Sequence, residues 1–199
     1  MRLNEARKDL YRRLAKEQGY KSRAAFKLIE ACDKYGFIRT GDYVVDFGSA
    51  PGGWLQVASE LVGTRGFVAG VDIRRVHMKE KNIVTLAMDI QDPGITDALL
   101  RLMKRKADVL LSDLSPSVSG VWELDQGRQA DLTLRVLELV PSLLTNGGAV
   151  FCKLFEGERS QEVRQALRKG FDDVKVLKPA ASRNSSSEMF YFCEGWKGA

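Results

Sequence analysis

The chain has 199 residues, with 31 Lys or Arg against 26 Asp or Glu, a net charge of +5 and an isoelectric point near 9.1. Its 44% hydrophobic and 29% charged content suits a globular chain long enough for one sizeable core. No apolar run nears the roughly 18 residues of a membrane span, and no signal peptide is evident. A lone histidine, His77, and three scattered cysteines, Cys32, Cys152 and Cys193, exclude a histidine-rich metal site and read as reduced core thiols of a cytoplasmic protein. The basic balance admits a nucleic-acid partner without requiring one.

Residues 2–18 read as a basic helical lead-in, with Arg2, Arg7, Lys8, Arg12, Arg13 and Lys16 among Leu3, Leu10 and Leu14. Ser22 is placed to cap a second helix and Gly36 to stop it. Ala25, Ile29 and Cys32 make its apolar stripe; Arg23, Lys27, Glu30 and Lys34 make a charged face at helical spacing. Strands and helices then alternate. Strands are expected over residues 43–47, 66–71, 83–88, 107–112 and 149–155, with helices over 55–62, about 93–104, 125–144 and 160–169. Two final strands, 174–177 and 189–193, are joined by too short a link for a crossover helix and must pair antiparallel. The reading is a single α/β domain over residues 1–199. Its sheet is seven-stranded, mostly parallel with the last strand antiparallel, and carries helices on both faces.

The first strand runs into Gly48-Ser49-Ala50-Pro51-Gly52-Gly53-Trp54. A glycine turn between strand and helix lets a ligand approach backbone, and the helix start offers free N–H groups. Ala50 and Pro51 break the G-x-G-x-x-G spacing of a dinucleotide site. Asp46, Asp72, Asp89 and Asp113 close four successive strands, on the edge where doubly wound sheets bind ligands. Asp72, about 20 residues past the turn, suits a ribose diol. A nucleoside cofactor follows, and both NAD and S-adenosylmethionine satisfy these acids.

Lys153 stands in Val150-Phe151-Cys152-Lys153-Leu154-Phe155, a strand expected to be covered on both faces. A lysine there is costly unless paired, which makes it a functional candidate; a lysine snorkelling to the surface at the strand's end is the alternative. The antiparallel last strand begins at the edge where the parallel strands end, so Glu188 faces Asp113 and Lys153.

Several motifs in order then resemble one family, the FtsJ-like ribose 2′-O-methyltransferases of ribosomal RNA. They are Tyr20-Lys21-Ser22-Arg23-Ala24-Ala25-Phe26-Lys27-Leu28, Asp46 to Trp54, Ser112-Asp113-Leu114-Ser115-Pro116, Lys153-Leu154-Phe155, Lys178-Pro179, Ser182-Arg183 and Ser187-Glu188. The resemblance spans residues 20–193 and implies a Rossmann-like class I methyltransferase fold. It implies a Lys-Asp-Lys-Glu catalytic tetrad at Lys27, Asp113, Lys153 and Glu188, with no metal. It implies S-adenosylmethionine contacts from Gly52, Gly53, Trp54, Asp72, Asp89 and Asp113. The implied substrate is a structured RNA, foremost a uridine ribose of large-subunit (23S) ribosomal RNA within a ribosomal particle, with transfer RNA as the alternative. Leu114-Ser115-Pro116-Ser117 departs from the Met-Ala-Pro-Asn of bacterial members, next to the cofactor and acceptor. Lys153 is the candidate base; a charged Lys153 that only orients the hydroxyl is the alternative. RNA contacts are expected from Arg7, Lys8, Arg12 and Arg13 of the lead-in and from Arg23, Lys34 and Arg183, with Tyr20 or Trp122 as candidate stacking residues. The protein is expected to be a monomer. A non-catalytic RNA-binding protein and a nicotinamide-dependent oxidoreductase are the competing readings. The intact tetrad weighs against the first and the broken glycine spacing against the second.

Overall fold

The computed structural model describes residues 3–117, 119–182 and 186–198, with residues 3–9 described by backbone alone. The strands are β1 (Tyr43–Phe47), β2 (Phe67–Asp72), β3 (Ile83–Ala87), β4 (Ala107–Ser112), β5 (Leu144–Phe155), β6 (Phe171–Leu177) and β7 (Glu188–Trp196). The helices are α1 (Leu3–Glu17), α2 (Ala25–Tyr35), α3 (Gly53–Val62), α4 (Ile95–Met103), α5 (Trp122–Leu143) and α6 (Ser160–Gly170). The sheet runs β3-β2-β1-β4-β5-β7-β6. Its first five strands are parallel, and β7 lies antiparallel between β5 and β6.

Side-chain alternation along each strand divides the core. Val45 and Phe47 of β1 point to the face covered by α4, α5 and α6, where Leu99, Val136, Leu139, Val163 and Leu167 are buried. Val44 points to the opposite face, where α2 and α3 contribute Leu28, Ala31, Leu55, Ala58 and Val62. An aromatic group, Trp54, Phe151, Phe190, Phe192 and Phe37, fills the second layer beneath β5 and β7, with centroids 4.9–5.9 Å apart. α1 lies outside α2, tied by Tyr11 against Phe26 at 5.4 Å and by buried Ala15.

Some boundaries differ from expectation for local reasons. Ser22 does not cap α2. The preceding turn, with Ala25 N–H donating to the Ser22 carbonyl at 3.2 Å, puts Ala24 at the cap position. Gly36 does stop the helix, in the left-handed conformation at φ 62°. Asp92 bonds the Gly94 N–H at 2.7 Å, and this Asx turn delays α4 to Ile95. Asp125 draws the loop before it onto the helix, so α5 begins at Trp122.

Candidate functional site

The site lies at the carboxyl edge of β1, β2, β4 and β5, where β7 begins. β1 passes into residues 48–52 through two glycines whose lack of a side chain is required. Gly48 has φ 80°, and a Cβ there would stand 3.0 Å from the Leu114 backbone. Gly52 has φ 114°, and a Cβ there would stand 2.7 Å from Met78 Sδ. The loop therefore nestles against the chain that follows β4. Asp72 steadies it from below, accepting from Ala50 N–H at 2.9 Å through Oδ2 and from Arg74 N–H at 2.9 Å through Oδ1.

A cavity of 660 Å³ opens along this edge, lined among others by Gly48, Ala50, Asp72, Ile73, Asp89 and Asp113. A smaller recess of 280 Å³ adjoins it, bordered by Gly48, Ala50 and Gly53 together with Lys27, Asp113, Ser115, Lys153 and Glu188. Gly48, Ala50, Asp113 and Ser115 line both. Asp46, on β1 just before this loop, is fully buried, and neither carboxylate oxygen finds a partner among the described residues; nor does Ser49 Oγ. Burial, followed by repulsion from Asp113 and Asp72, pushes the Asp46 carboxyl well above its ordinary range.

The four tetrad positions converge. Lys27 and Lys153 are only 6% and 3% exposed. Lys153 Nζ stands 3.1 Å from Asp113 Oδ1, donates to the Asp113 carbonyl at 3.0 Å and bonds Ser115 Oγ. Lys27 Nζ stands 2.9 Å from Glu188 Oε1 and 3.9 Å from Asp113 Oδ1, over the Phe190 ring at 5.0 Å. The sequence separations of 86, 40 and 35 vanish because α2, the ends of β4 and β5, and the start of β7 all reach one edge. Two cations facing two anions make each burial tolerable. Burial pushes the Asp113 carboxyl up, but Lys153 and then Lys27 outweigh it and hold the group below its usual value. For Glu188 burial again acts upward and Lys27 outweighs it, so this carboxyl too lies below its usual value.

The other expected positions are placed less uniformly. Gly52 and Gly53 are buried in the loop, and Asp89 is exposed at the rim of the larger cavity. The Trp54 ring is buried, donates Nε1–H to the Ala24 carbonyl at 2.7 Å and stacks on Phe151. Trp54 also borders the smaller recess, beside Lys27, Lys153 and Glu188. Arg23 borders the recess and donates to the Ala181 carbonyl at 3.3 Å. Arg12 and Arg13 are exposed on α1 and Lys34 on α2. The side chains of Arg7 and Lys8, and all of Arg183, lie outside the described residues.

Three further residues meet Lys153: Ser115, whose motif the sequence placed near the site without giving it a role, and Gln129 and Thr133, which sequence reasoning missed. Ser115 meets the Lys153 amine. Gln129 and Thr133, both 1% exposed, donate to the Lys153 carbonyl at 2.9 and 3.0 Å, and Gln129 Oε1 accepts from Phe155 N–H at 2.9 Å. They clamp the β5 backbone just after Lys153, on either side of Leu154, where β5 outruns β4. Two polar residues four apart on the inward face of α5 were the available signal.

Among the described residues no helix is long and apolar enough to cross a membrane, and no group of three His, Cys, Asp or Glu is placed to hold a metal ion. A family model for FtsJ-like methyltransferases matches residues 20–196. A Nitrosopumilus maritimus protein named ribosomal RNA large subunit methyltransferase E is 41% identical, over all of both chains. The crystal structure of a putative ribosomal RNA methyltransferase from Plasmodium falciparum superposes with a TM-score of 0.79 at 26% identity, covering 90% of this chain and 100% of that one. Aeropyrum pernix fibrillarin, crystallised with bound S-adenosyl-L-methionine, shares the fold alone, at 18% identity and a TM-score of 0.59 over 84% of this chain and 75% of its own.

Proposed function

Since the chain belongs to the FtsJ-like methyltransferase family, we propose that it transfers a methyl group from S-adenosylmethionine to a ribose 2′-hydroxyl of large-subunit ribosomal RNA. The observation that carries the reading is the buried, charge-balanced tetrad beside a nucleoside-sized cavity. A non-catalytic RNA-binding protein would gain nothing from a lysine sunk 3% exposed in a covered strand.

The cavity fits the cofactor. Its 660 Å³ lies within the range of small-molecule sites, and Asp72 and Asp89 present carboxylates to it at successive strand ends. Asp72 and Asp89 would take the nucleoside, the backbone of Gly52 and Gly53 the amino-acid end, and Asp113 the region of the sulfonium. When bound, S-adenosylmethionine supplies an already activated, electrophilic methyl.

The protein's own task is to place the acceptor and take its proton. Orientation supplies the larger share, roughly 7–11 kcal/mol, against about 10²–10⁴-fold for a general base. Asp113 holds the Lys153 amine through its carboxylate and its carbonyl. The remaining position faces a hydroxyl, that of Ser115 in this structure and the ribose 2′-OH in the proposed reaction. Lys153 in its neutral form takes the proton. Lys27, fixed by Glu188, keeps positive charge on the far side of Asp113 and orients the acceptor. The basic face of α1, with Arg23, Lys34 and Arg183, would hold phosphates, which position RNA without reading its sequence. The reading includes action as a single-domain monomer in the cytoplasm, on ribosomal RNA within a ribosomal particle.

The test is a map of ribose methylation on RNA from cells lacking this protein, together with methyl transfer from labelled S-adenosylmethionine by the purified chain. Loss of one large-subunit ribosomal RNA site, restored by the wild-type chain, is expected. Loss of a transfer RNA site instead would move the substrate and leave the chemistry standing.

A further inference from the structure

We propose that Trp122, stacked on Phe155, is a shelf for a nucleobase of the RNA strand beside the methylated ribose; the inference rests on the RNA methyltransferase reading above. Trp122 is 47% exposed, and its neighbours Val121 and Leu124 are 54% and 45% exposed. An indole that served only packing would be covered, since the large apolar area of a tryptophan is the main return on placing one. Here one ring among the described residues stacks on it, Phe155, with centroids 5.9 Å apart and planes 23° from parallel. Phe155 in turn lies under the Lys153 amine, 5.7 Å from Nζ to the ring centroid. Two ring-sized steps thus lead from the catalytic amine to an open aromatic face. A stacked strand advances about 3.4 Å per nucleotide, so a path of 5.7 Å and then 5.9 Å puts the shelf within about three nucleotides of the target along the strand.

The shelf is held in place. The chain leaves Asp113 and returns to α5 at Trp122, and Asp125 ties that return. Its Oδ1 accepts from Ser119 N–H at 2.8 Å and Ser119 Oγ–H at 2.7 Å, and its Oδ2 accepts from Gly120 N–H at 3.2 Å. Val121 N–H donates to Ser119 Oγ at 3.2 Å. Residues 119–121 are therefore fastened to the first turn of α5, which carries the indole. An exposed indole one stacked ring away from the Lys153 amine matches the stacking by which proteins hold splayed, single-stranded bases of any identity.

The experiment measures affinity for large-subunit ribosomal RNA lacking the modification, both naked and within particles, alongside single-turnover methylation and S-adenosylmethionine affinity. Trp122→Ala is expected to weaken binding of naked RNA by about 5- to 100-fold, the range for losing one base stack, and to leave cofactor affinity unchanged. Trp122→Phe and Trp122→Tyr should restore most of it, whereas Trp122→Leu should behave as the alanine variant. A leucine variant with wild-type affinity overturns the shelf, because apolar bulk then suffices. A defect seen only on protein-containing particles overturns it in favour of protein docking. Cofactor affinity falling in step with RNA affinity overturns it as local collapse. A wild type that methylates RNA and an alanine variant that matches it remove the shelf and leave the function. A wild type inactive on every RNA removes both.

Discussion

Lys153 and Asp46 are both buried charges-in-waiting, and the site treats them in opposite ways. Lys153 has its amine met by Asp113 and Ser115 and its backbone carbonyl by Gln129 and Thr133. Lys153→Ala should therefore abolish most methyl transfer while S-adenosylmethionine binding persists, because the loop and Asp72 stand without it. Lys153→Arg should fail as well, since a guanidinium stays protonated. Single-turnover rates with calorimetric cofactor affinity check this, and a near-normal arginine variant would show that only positive charge is needed. Asp46 has no partner among the described residues, and its carboxyl is held well above the ordinary range, first by burial and then by Asp113 and Asp72. The sign follows from linkage. The stability of its neutral form is complete below the unfolded value, about 3.9, and is lost as pH rises through the folded value. Asp46→Asn carries no such loss. Its stability relative to wild type should grow from about pH 4 upward, read as denaturant midpoints of the cofactor-free proteins at several pH values. A difference that stays flat or shrinks with pH would show that the carboxyl is ionised and partnered in the fold.

At the scale of elements, α1 separates from the edge that carries Lys27, Asp113, Lys153 and Glu188. It touches α2 through Tyr11 and Ala15 and leaves Arg12 and Arg13 exposed, Arg13 with Glu17 at 3.5 Å. An exposed pair of this kind is worth little to stability. Replacing Arg7, Lys8, Arg12 and Arg13 with alanine should leave the melting temperature and cofactor affinity unchanged. It should weaken RNA binding and flatten its salt dependence, by about 0.9 in logarithmic slope for each duplex phosphate that is no longer neutralised. An unchanged slope in titrations across salt would make α1 a purely structural helix. The β6–β7 pair shows the complementary case, an element that exists for the site. By entering antiparallel between β5 and β6, β7 delivers Glu188 opposite Phe155, two residues beyond Lys153.

For the whole molecule, the two-layered packing leaves the three cysteines inside. Burial raises the Cys32 and Cys152 thiols to about 12, and burial, then Cys152 and Asp173, raises Cys193 well above its ordinary value. Thiolate is the reactive form. The native protein at pH 8 should therefore resist a thiol reagent, and all three thiols should react together at the denaturant concentration that unfolds the sheet. Stepwise labelling before the unfolding transition would reveal a part that opens separately. The same core makes plain what could be read from the chain alone. Short apolar runs, glycine turns and strand-end acids are local signals, and they determined the α/β alternation, the edge at which Asp72, Asp89 and Asp113 border one cavity, and the antiparallel pairing of the last strands. The motif order carried the tetrad as well, because its four residue types survive at recognisable spacing. Only the tertiary structure decided which neighbours those residues meet. That Trp54 stacks its ring on Phe151, that Ser115 bonds the Lys153 amine, that Gln129 and Thr133 clamp β5, and that Trp122 stacks on Phe155 all depend on contacts between elements far apart in sequence. Local propensity and periodicity say which face of an element is apolar; which distant side chain lies against it is set by packing density across the sheet, and no single stretch of chain contains that information.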